Sequence, residues 1–339
     1  MQIVYDDLYA QHLKGIQHPE SPDRVLAVVA HLRGAGIMDR YLDARDATDA
    51  ELELVHPRWY VERVESEVAR LGDEVGYLST GDTVISEASF RVARRAAGGV
   101  LTAMERAVSD RTGVFALVRP PGHHAEPARG MGFCVFGNAA IAARAFATRE
   151  GKQVLVVDYD YHHGNGTQAA SGDGVAYVST HGYPAYPGTG LPQENRFDAR
   201  SAICNVPLPP HAFGTEAFLA VWARLLRKAA DVVRPDLLVV SAGYDYVLGD
   251  PVGDLGVEWE AARTLGGLCR EIADTYCEGR AVFCLEGGYD LDALAASVEL
   301  TIRGFDEAAG VEGSLGTPDF SSIPFTQRTL LEFLDEWKR

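Results

Sequence analysis

Val154–Gln168, VLVVDYDYHHGNGTQ, is the stretch from which the rest of the chain can be placed. It opens with four apolar residues, Val154–Val157, a run too short for a helix and rich in β-branched side chains. That pattern reads as a strand buried on both faces of a parallel sheet. The polar residues after it therefore stand at the strand's C-terminal end, the edge where ligands bind in open α/β sheets. Asp158, Asp160, His162 and His163 arrive there within six residues, followed by Gly164, Asn165 and Gly166. Two carboxylates and an imidazole at a strand end form a donor set for a metal ion. The same residue types also build turns and helix caps, so the cluster alone reads either way.

Further apolar runs flank this one. Gln2–Tyr5, GVFALV (113–118), VAYVSTH (175–181), DLLVVSAGYD (236–245) and RAVFCLEGGYD (280–290) read as strands. Helical patterns lie between them: one after HPESPDR (18–24) ending near Gly34–Gly36, one after His56-Pro57, and others over about 86–109, 139–148 and 216–232. GYLSTGDT (76–83) reads as a turn-rich loop. Alternating strand and helix imply a three-layer α/β/α fold with a mostly parallel sheet. No linker or repeat divides the chain, so residues 1–339 are expected to form one domain, with a loop at about 310–325 and a final helix, Thr326–Lys338, docked on the body.

Five strands finish in polar clusters: His123-His124, Asp158 to His163, Ser179-Thr180-His181, Asp245, and Glu286 to Tyr289. A parallel sheet gathers these ends on one edge. Four of the ten histidines fall in two HH pairs there, which is a pattern of chemistry rather than of packing. His18, Glu20 and Arg24 of HPESPDR are candidate functional residues, although charged loop residues of this kind ordinarily solvate or anchor a loop.

Bulk composition narrows the function. Acidic residues number 48 against 31 basic, a formal charge of −17, which argues against nonspecific binding to nucleic acid or an anionic membrane and mildly favours cationic substrates. The five cysteines are scattered with no CxxC pair, so neither a disulfide framework nor a thiolate zinc site is indicated and a reducing compartment fits. MQIVYDDLYAQH shows no basic segment followed by an apolar one, and no stretch is long enough to span a bilayer. A cytoplasmic protein is expected.

Taken together, RPPGHHA (119–125), DxDxHHGNGTQ (158–168), YPGTG (186–190), SAGYDxxxGDP (241–251) and LEGGY (285–289) resemble the zinc-dependent histone deacetylase and acetylpolyamine amidohydrolase superfamily, which shares its fold with arginase. HHGNGTQ is similar to the class II and bacterial branch, since the class I branch has Asp where Asn165 stands. The resemblance runs from HPESPDR to Tyr289. It implies an enzyme that removes acetyl or other short acyl groups from amines. It also implies Asp160, His162 and Asp245 as ligands of one zinc ion (Zn2+), for which Co2+ or Fe2+ could substitute. His124 becomes the general base, His123 its electrostatic partner, and Tyr289 the hydroxyl donor to the substrate carbonyl. Asp158 would orient His123 and Asn165 would orient His124, the neutral amide leaving His124 less basic than an aspartate would.

The same resemblance implies a potassium ion (K+) held by the Asp158 carboxylate, the Ser179 hydroxyl and the backbone carbonyls of Asp160, His162 and Thr180. Gly132, Phe133 and Tyr186 would flank the linear acyl-amine, with Val252 at the mouth, where polyamine-selective members carry a glutamate. Asp82 and Glu126 are candidate acids to replace that charge. Expected partners are acetylated lysine or a small acylated amine, with no nucleic acid and no membrane; a homo-oligomer stays open. An arginase-like two-metal site is rejected because Gly164 and Gly243 stand where its additional carboxylates would be. A catalytically dead binding module is the other alternative, disfavoured because every residue of the motif set is present.

Overall fold

The apolar runs assemble into one sheet whose carboxyl edge carries all the polar clusters. The computed structural model describes residues 1–307 other than 40, 150, 199 and 212. The loop and docking helix expected beyond residue 310 lie outside the described residues.

In chain order the elements are β1 (Gln2–Tyr5), α1 (Pro22–Gly34), β2 (Leu42–Asp43), α2 (Asp49–Leu52), α3 (Arg58–Leu71), β3 (Gly76–Tyr77), β4 (Val84–Ile85), α4 (Ser89–Asp110), β5 (Gly113–Ala116), α5 (Asn138–Ala147), β6 (Val154–Asp158), α6 (Asn165–Ala170), β7 (Val175–Gly182), β8 (Ile203–Leu208), α7 (Thr215–Val233), β9 (Leu237–Ala242), α8 (Ala261–Tyr276), β10 (Ala281–Leu285) and α9 (Leu291–Asp306). Eight strands pair in the order β2-β1-β5-β10-β9-β6-β7-β8, every pairing parallel. Helices α1, α7, α8 and α9 pack together on one face, while α4 and α5 cover the other. The stripe Val92, Ala96, Val100, Ala103 and Ala107 shows how α4 does this: the spacing puts one small apolar face against the sheet, and all five are buried.

β6 is central, and its four apolar residues are at most 1% exposed, as a strand covered by helices on both faces must be. Its register sets Asp158 level with Ser179 of β7 and with Ser241 of β9. β6 and β9 therefore end within one residue of the same height, while β7 continues three residues further to Gly182.

Several elements differ from the sequence expectation. β8 was not anticipated because Pro207 lies inside it; as the edge strand it tolerates a residue that cannot donate to a ladder. β2, also at an edge, is two residues long and carries too little pattern to detect. GYLSTGDT is not only a turn: Gly76–Tyr77 pairs antiparallel with Val84–Ile85 as a small hairpin. The strands read through Asp245 and Asp290 stop earlier, at Ala242 and Leu285, leaving Gly243–Asp245 and Glu286–Tyr289 as the loops that bear functional groups. Among the described residues no helix is long and apolar enough to cross a membrane.

Candidate active site

Past the end of β6 the chain turns on its own side chains. Asp160 Oδ1 accepts the backbone N–H of His162 at 2.8 Å, bringing both side chains to the same point. Tyr161 N donates to Asp245 Oδ1 at 2.8 Å, which draws in the loop after β9. His162 Nδ1 then lies 2.9 Å from Asp245 Oδ2 and 3.3 Å from Asp160 Oδ1, and one donor atom from each of the three lies within 4.8 Å of the others. Both carboxylates are fully buried. Glycines make the approach feasible: a Cβ at Gly243 would fall 1.8 Å from Asp160 Oδ2, and one at Gly287 2.4 Å from Asp245 Oδ2. A Cβ at Gly164 would meet Asp158 Oδ2 at 2.2 Å, so a further carboxylate at 164 or 243 is sterically excluded as well as missing.

Two buried carboxylates this close resist ionising together. Burial and the Asp160 charge push Asp245 up to about 7. Burial alone would lower His162, yet Asp245 and Asp160 raise it to about 9. Without a metal, a proton on the imidazole balances the negative pair. A divalent cation satisfies the same donor set by displacing that proton, and hard oxygen plus imidazole donors suit zinc.

The tandem histidines sit in the loop after β5. Glu286 Oε2 holds that loop by accepting Gly122 N at 2.7 Å and His123 N at 3.1 Å. His123 Nδ1 is 3.1 Å from Asp158 Oδ2, which also accepts the Tyr177 hydroxyl at 2.9 Å. His124 Nδ1 is 2.9 Å from Asn165 Oδ1, and Asn165 Nδ2 donates to Glu126 Oε1 at 2.8 Å. That last contact fixes the amide's orientation: its oxygen faces His124, so His124 Nδ1 carries the proton and Nε2 keeps a lone pair. The two rings are 4.0 Å apart but electrostatically opposite. Burial pushes His123 down, but the charges of Asp160 and Asp158 prevail and hold it well above the ordinary value. Burial, then the charge of His123, drives His124 well below it.

A cavity of about 350 Å³ opens onto this edge, with His124 and His162 at its foot and Phe133, Tyr186, Val252 and Tyr289 in its walls. Gly132, at φ +55°, passes so close to His124 that a Cβ there would be 2.3 Å from its Cδ2. Asp82, in the turn of the β3–β4 hairpin, accepts Gly132 N at 2.8 Å and the Tyr186 hydroxyl at 3.0 Å, clamping the hairpin to two walls. Ser179 stands across from Asp158, its hydroxyl 3.0 Å from His181 Nδ1, and Thr180 is buried beside it. Glu126 departs from expectation: it is behind Asn165, not in the mouth, because the amide captures its carboxylate.

Several residues with no assigned role in the motif set organise the site. Arg24 and Arg119, both fully buried, share Glu20, whose carboxylate lies 3.1 Å from Arg24 Nη1 and 2.6 Å from Arg119 Nε. Arg24 donates to Gly288 O at 2.6 Å and lies 4.8 Å from the Tyr289 ring centroid. His18 packs edge-on against Phe133 at 4.7 Å. The signals were the charges of HPESPDR and the arginine heading RPPGHHA, together with Glu286 at a strand end.

The family model described as the histone deacetylase domain matches residues 18–305. Over 308 residues the chain is 37% identical to histone deacetylase 10, chloroplastic, of Oryza sativa subsp. japonica, covering 85% of this chain and 69% of that protein. It is 32% identical over 319 residues to a probable deacetylase of Archaeoglobus fulgidus, covering 91% and 87%. Against the histone deacetylase-like amidohydrolase of Pseudomonas aeruginosa the identity is 33% over 311 residues, covering 89% and 79%. The crystal structure of the HDA15 HD domain superposes with a TM-score of 0.87 at 32% identity, over 99% of this chain and 95% of that one.

Proposed function

The chain belongs to the histone deacetylase family and is an amide-hydrolysing enzyme; on that premise we propose that it removes acetyl or other short acyl groups from acyl-lysine-type amines, with one zinc ion on Asp160, His162 and Asp245. The family is zinc-dependent, and the buried oxygen, oxygen and imidazole donors of this chain fit that ion. Bound there, zinc supplies Lewis acidity, polarising the amide carbonyl and making water a stronger acid.

The remaining steps belong to side chains. His124 Nε2 takes the proton of the attacking water and later delivers one to the leaving amine, while its Nδ1–H stays with Asn165 and keeps the tautomer constant. Burial, together with the neighbouring positive charge of His123 anchored by Asp158, keeps His124 neutral before the reaction. The Tyr289 hydroxyl donates to the carbonyl oxygen as charge grows on it, an interaction of about 3 kcal/mol in such sites. Phe133 and Tyr186 enclose the linear chain and keep water from it. A potassium ion on the Asp158 carboxylate, the Ser179 hydroxyl and the carbonyls of Asp160, His162 and Thr180 belongs to the same reading. Four buried acids at this edge, Asp158, Asp160, Asp245 and Glu286, support a second cation there. The reading takes residues 1–339 as one domain in a reducing cytoplasm, supported by five free, buried cysteines.

One arrangement carries the proposal: a neutral imidazole, His124, and the carboxylate-paired His162 share the foot of a narrow cavity whose wall includes Tyr289. The test is hydrolysis of a fluorogenic acetyl-lysine amide by metal-loaded protein, with and without chelator, alongside metal analysis. Turnover abolished by chelator with one equivalent of zinc is expected. No turnover across a panel of acyl amides, or two equivalents at this centre, refutes it.

Substrate choice rests on the mouth. Val252 places an apolar wall where a carboxylate would pair with a cationic chain, and both oxygens of Asp82 are engaged by Gly132 and Tyr186. Acetylpolyamine hydrolysis is the second reading, favoured by the Asp82 charge at the rim. kcat/KM for acetylated putrescine and spermidine against an acetyl-lysine peptide decides: a polyamine preference of about a hundredfold, a difference near 3 kcal/mol, reverses the assignment.

A further inference from the structure

Four backbone N–H groups converge on the carboxylate of Asp250, five residues beyond Asp245. Oδ1 accepts Val252 N at 2.9 Å and Gly253 N at 3.2 Å; Oδ2 accepts Tyr289 N at 2.6 Å and Asp290 N at 3.1 Å. The residue is 9% exposed. Its two pairs of donors come from different segments. Val252 and Gly253 follow the metal-site loop after β9, whereas Tyr289 and Asp290 lie between β10 and α9. Asp250 thus joins two loops that each give a wall residue, Val252 and Tyr289, to the cavity.

Tyr289 needs such a tether. Gly287 and Gly288 precede it, the latter at φ +114°, a conformation open to glycine. Asp290 follows as the N-cap of α9, accepting Ala293 N at 2.9 Å, and on the other side Gly287 N donates to Asp160 Oδ2 at 2.8 Å and Gly288 O accepts Arg24 Nε at 2.6 Å, which leaves the N–H groups of Tyr289 and Asp290 between these two anchors. The contacts of Asp250 to the N–H groups of Tyr289 and Asp290 close the gap. An ionised carboxylate is the group that fits: it is acceptor-only, and each oxygen has room for two donors. An amide of the same shape offers one oxygen and turns an NH₂ toward two N–H groups.

We propose that Asp250 is a positioning residue for Tyr289, fixing its backbone so that the hydroxyl meets the substrate carbonyl. The inference rests on the hydroxyl-donor role given to Tyr289 above. The phenol lies at the end of a long side chain, so a small backbone shift becomes a larger one at the oxygen, and a misplacement of about 1 Å at a reacting centre costs on the order of a hundredfold in rate.

The experiment is a double-mutant cycle on the metal-loaded 339-residue chain: Asp250→Asn, Tyr289→Phe and the pair, with kcat, KM and bound zinc measured for each. Asp250→Asn is expected to lower kcat about 10- to 100-fold, with KM within about twofold and zinc unchanged. In the Tyr289→Phe background the same substitution should change kcat by less than about threefold, because the hydroxyl it positions is gone. An equal loss in both backgrounds, a KM that rises in step, or lost zinc overturns the proposal. Tyr289→Phe with full kcat instead refutes the role of Tyr289 itself, a different result from an impaired Tyr289→Phe whose effect adds to that of Asp250→Asn. Should Asp250→Asn fail to fold, Asp250→Glu, which keeps both oxygens but displaces them, must show the same dependence on background.

Discussion

Replacing Asn165 by aspartate would change two contacts at once. The side-chain nitrogen now donating to Glu126 Oε1 at 2.8 Å would become a second carboxylate oxygen. Two unit charges at that separation, with an effective dielectric constant of about 20 suited to a half-buried site, repel by about 6 kcal/mol. Proton uptake is cheaper: neutralising a carboxyl of ordinary pKa near 4 at pH 7 costs about 4 kcal/mol. The pair therefore binds a proton, and the variant is destabilised by up to about 4 kcal/mol at pH 7. The sign follows from the raised folded-state pKa. Folded protein holds the proton and unfolded protein does not, so stability relative to wild type is retained below about pH 4 and lost as pH rises through the folded value. Opposite His124 the new carboxylate also favours the imidazolium, as Asp160 and Asp158 do for His123, so the acid limb of kcat/KM should move to higher pH. Thermal unfolding of wild type and Asn165→Asp between pH 5 and 8 reads the first effect, and pH-rate profiles read the second. Adding Glu126→Gln, whose amide can donate to the new carboxylate, should restore stability while leaving the shifted profile. A Tm difference that does not vary with pH, or no rescue by Glu126→Gln, would refute the contact chain from His124 through Asn165 to Glu126.

Three further outcomes follow from the site. Tyr289→Phe removes only a hydroxyl and should lower kcat by roughly two to three orders of magnitude while KM and zinc content hold; steady-state kinetics with metal analysis checks this. Gly243→Ala places a methyl 1.8 Å from Asp160 Oδ2 and should cost zinc affinity, read as earlier release to a competing chelator, with the sheet intact by circular dichroism. Glu20→Gln leaves Arg24 and Arg119 buried without their carboxylate, and denaturant unfolding should show a loss of about 3–5 kcal/mol.

The chain by itself determined a good deal. Val154–Val157 could be placed as a buried parallel strand because burial on both faces requires an unbroken apolar run, a local property of the sequence. The motif spacings likewise brought Asp160, His162, Asp245, His123, His124 and Tyr289 into one site, since each lies just past a strand end and a parallel sheet aligns such ends. The glycines at 164 and 243 were legible as missing carboxylates through the resemblance to arginase; that a side chain there would strike Asp158 or Asp160 was not. Tertiary structure decided which charge meets which. Glu126 was a candidate for the mouth and instead backs Asn165, while Glu20, ordinary in a loop, lies between two buried arginines. Pro207 concealed an edge strand whose position only the assembled sheet defines. Asp250 lies in the SAGYDxxxGDP block, but nothing in that block names the four N–H groups it receives, two of them 39 and 40 residues away. A strand's burial is written in its own side chains, but the partner of a loop carboxylate is set by the order in which distant strands pair, and that order follows from packing the whole sheet.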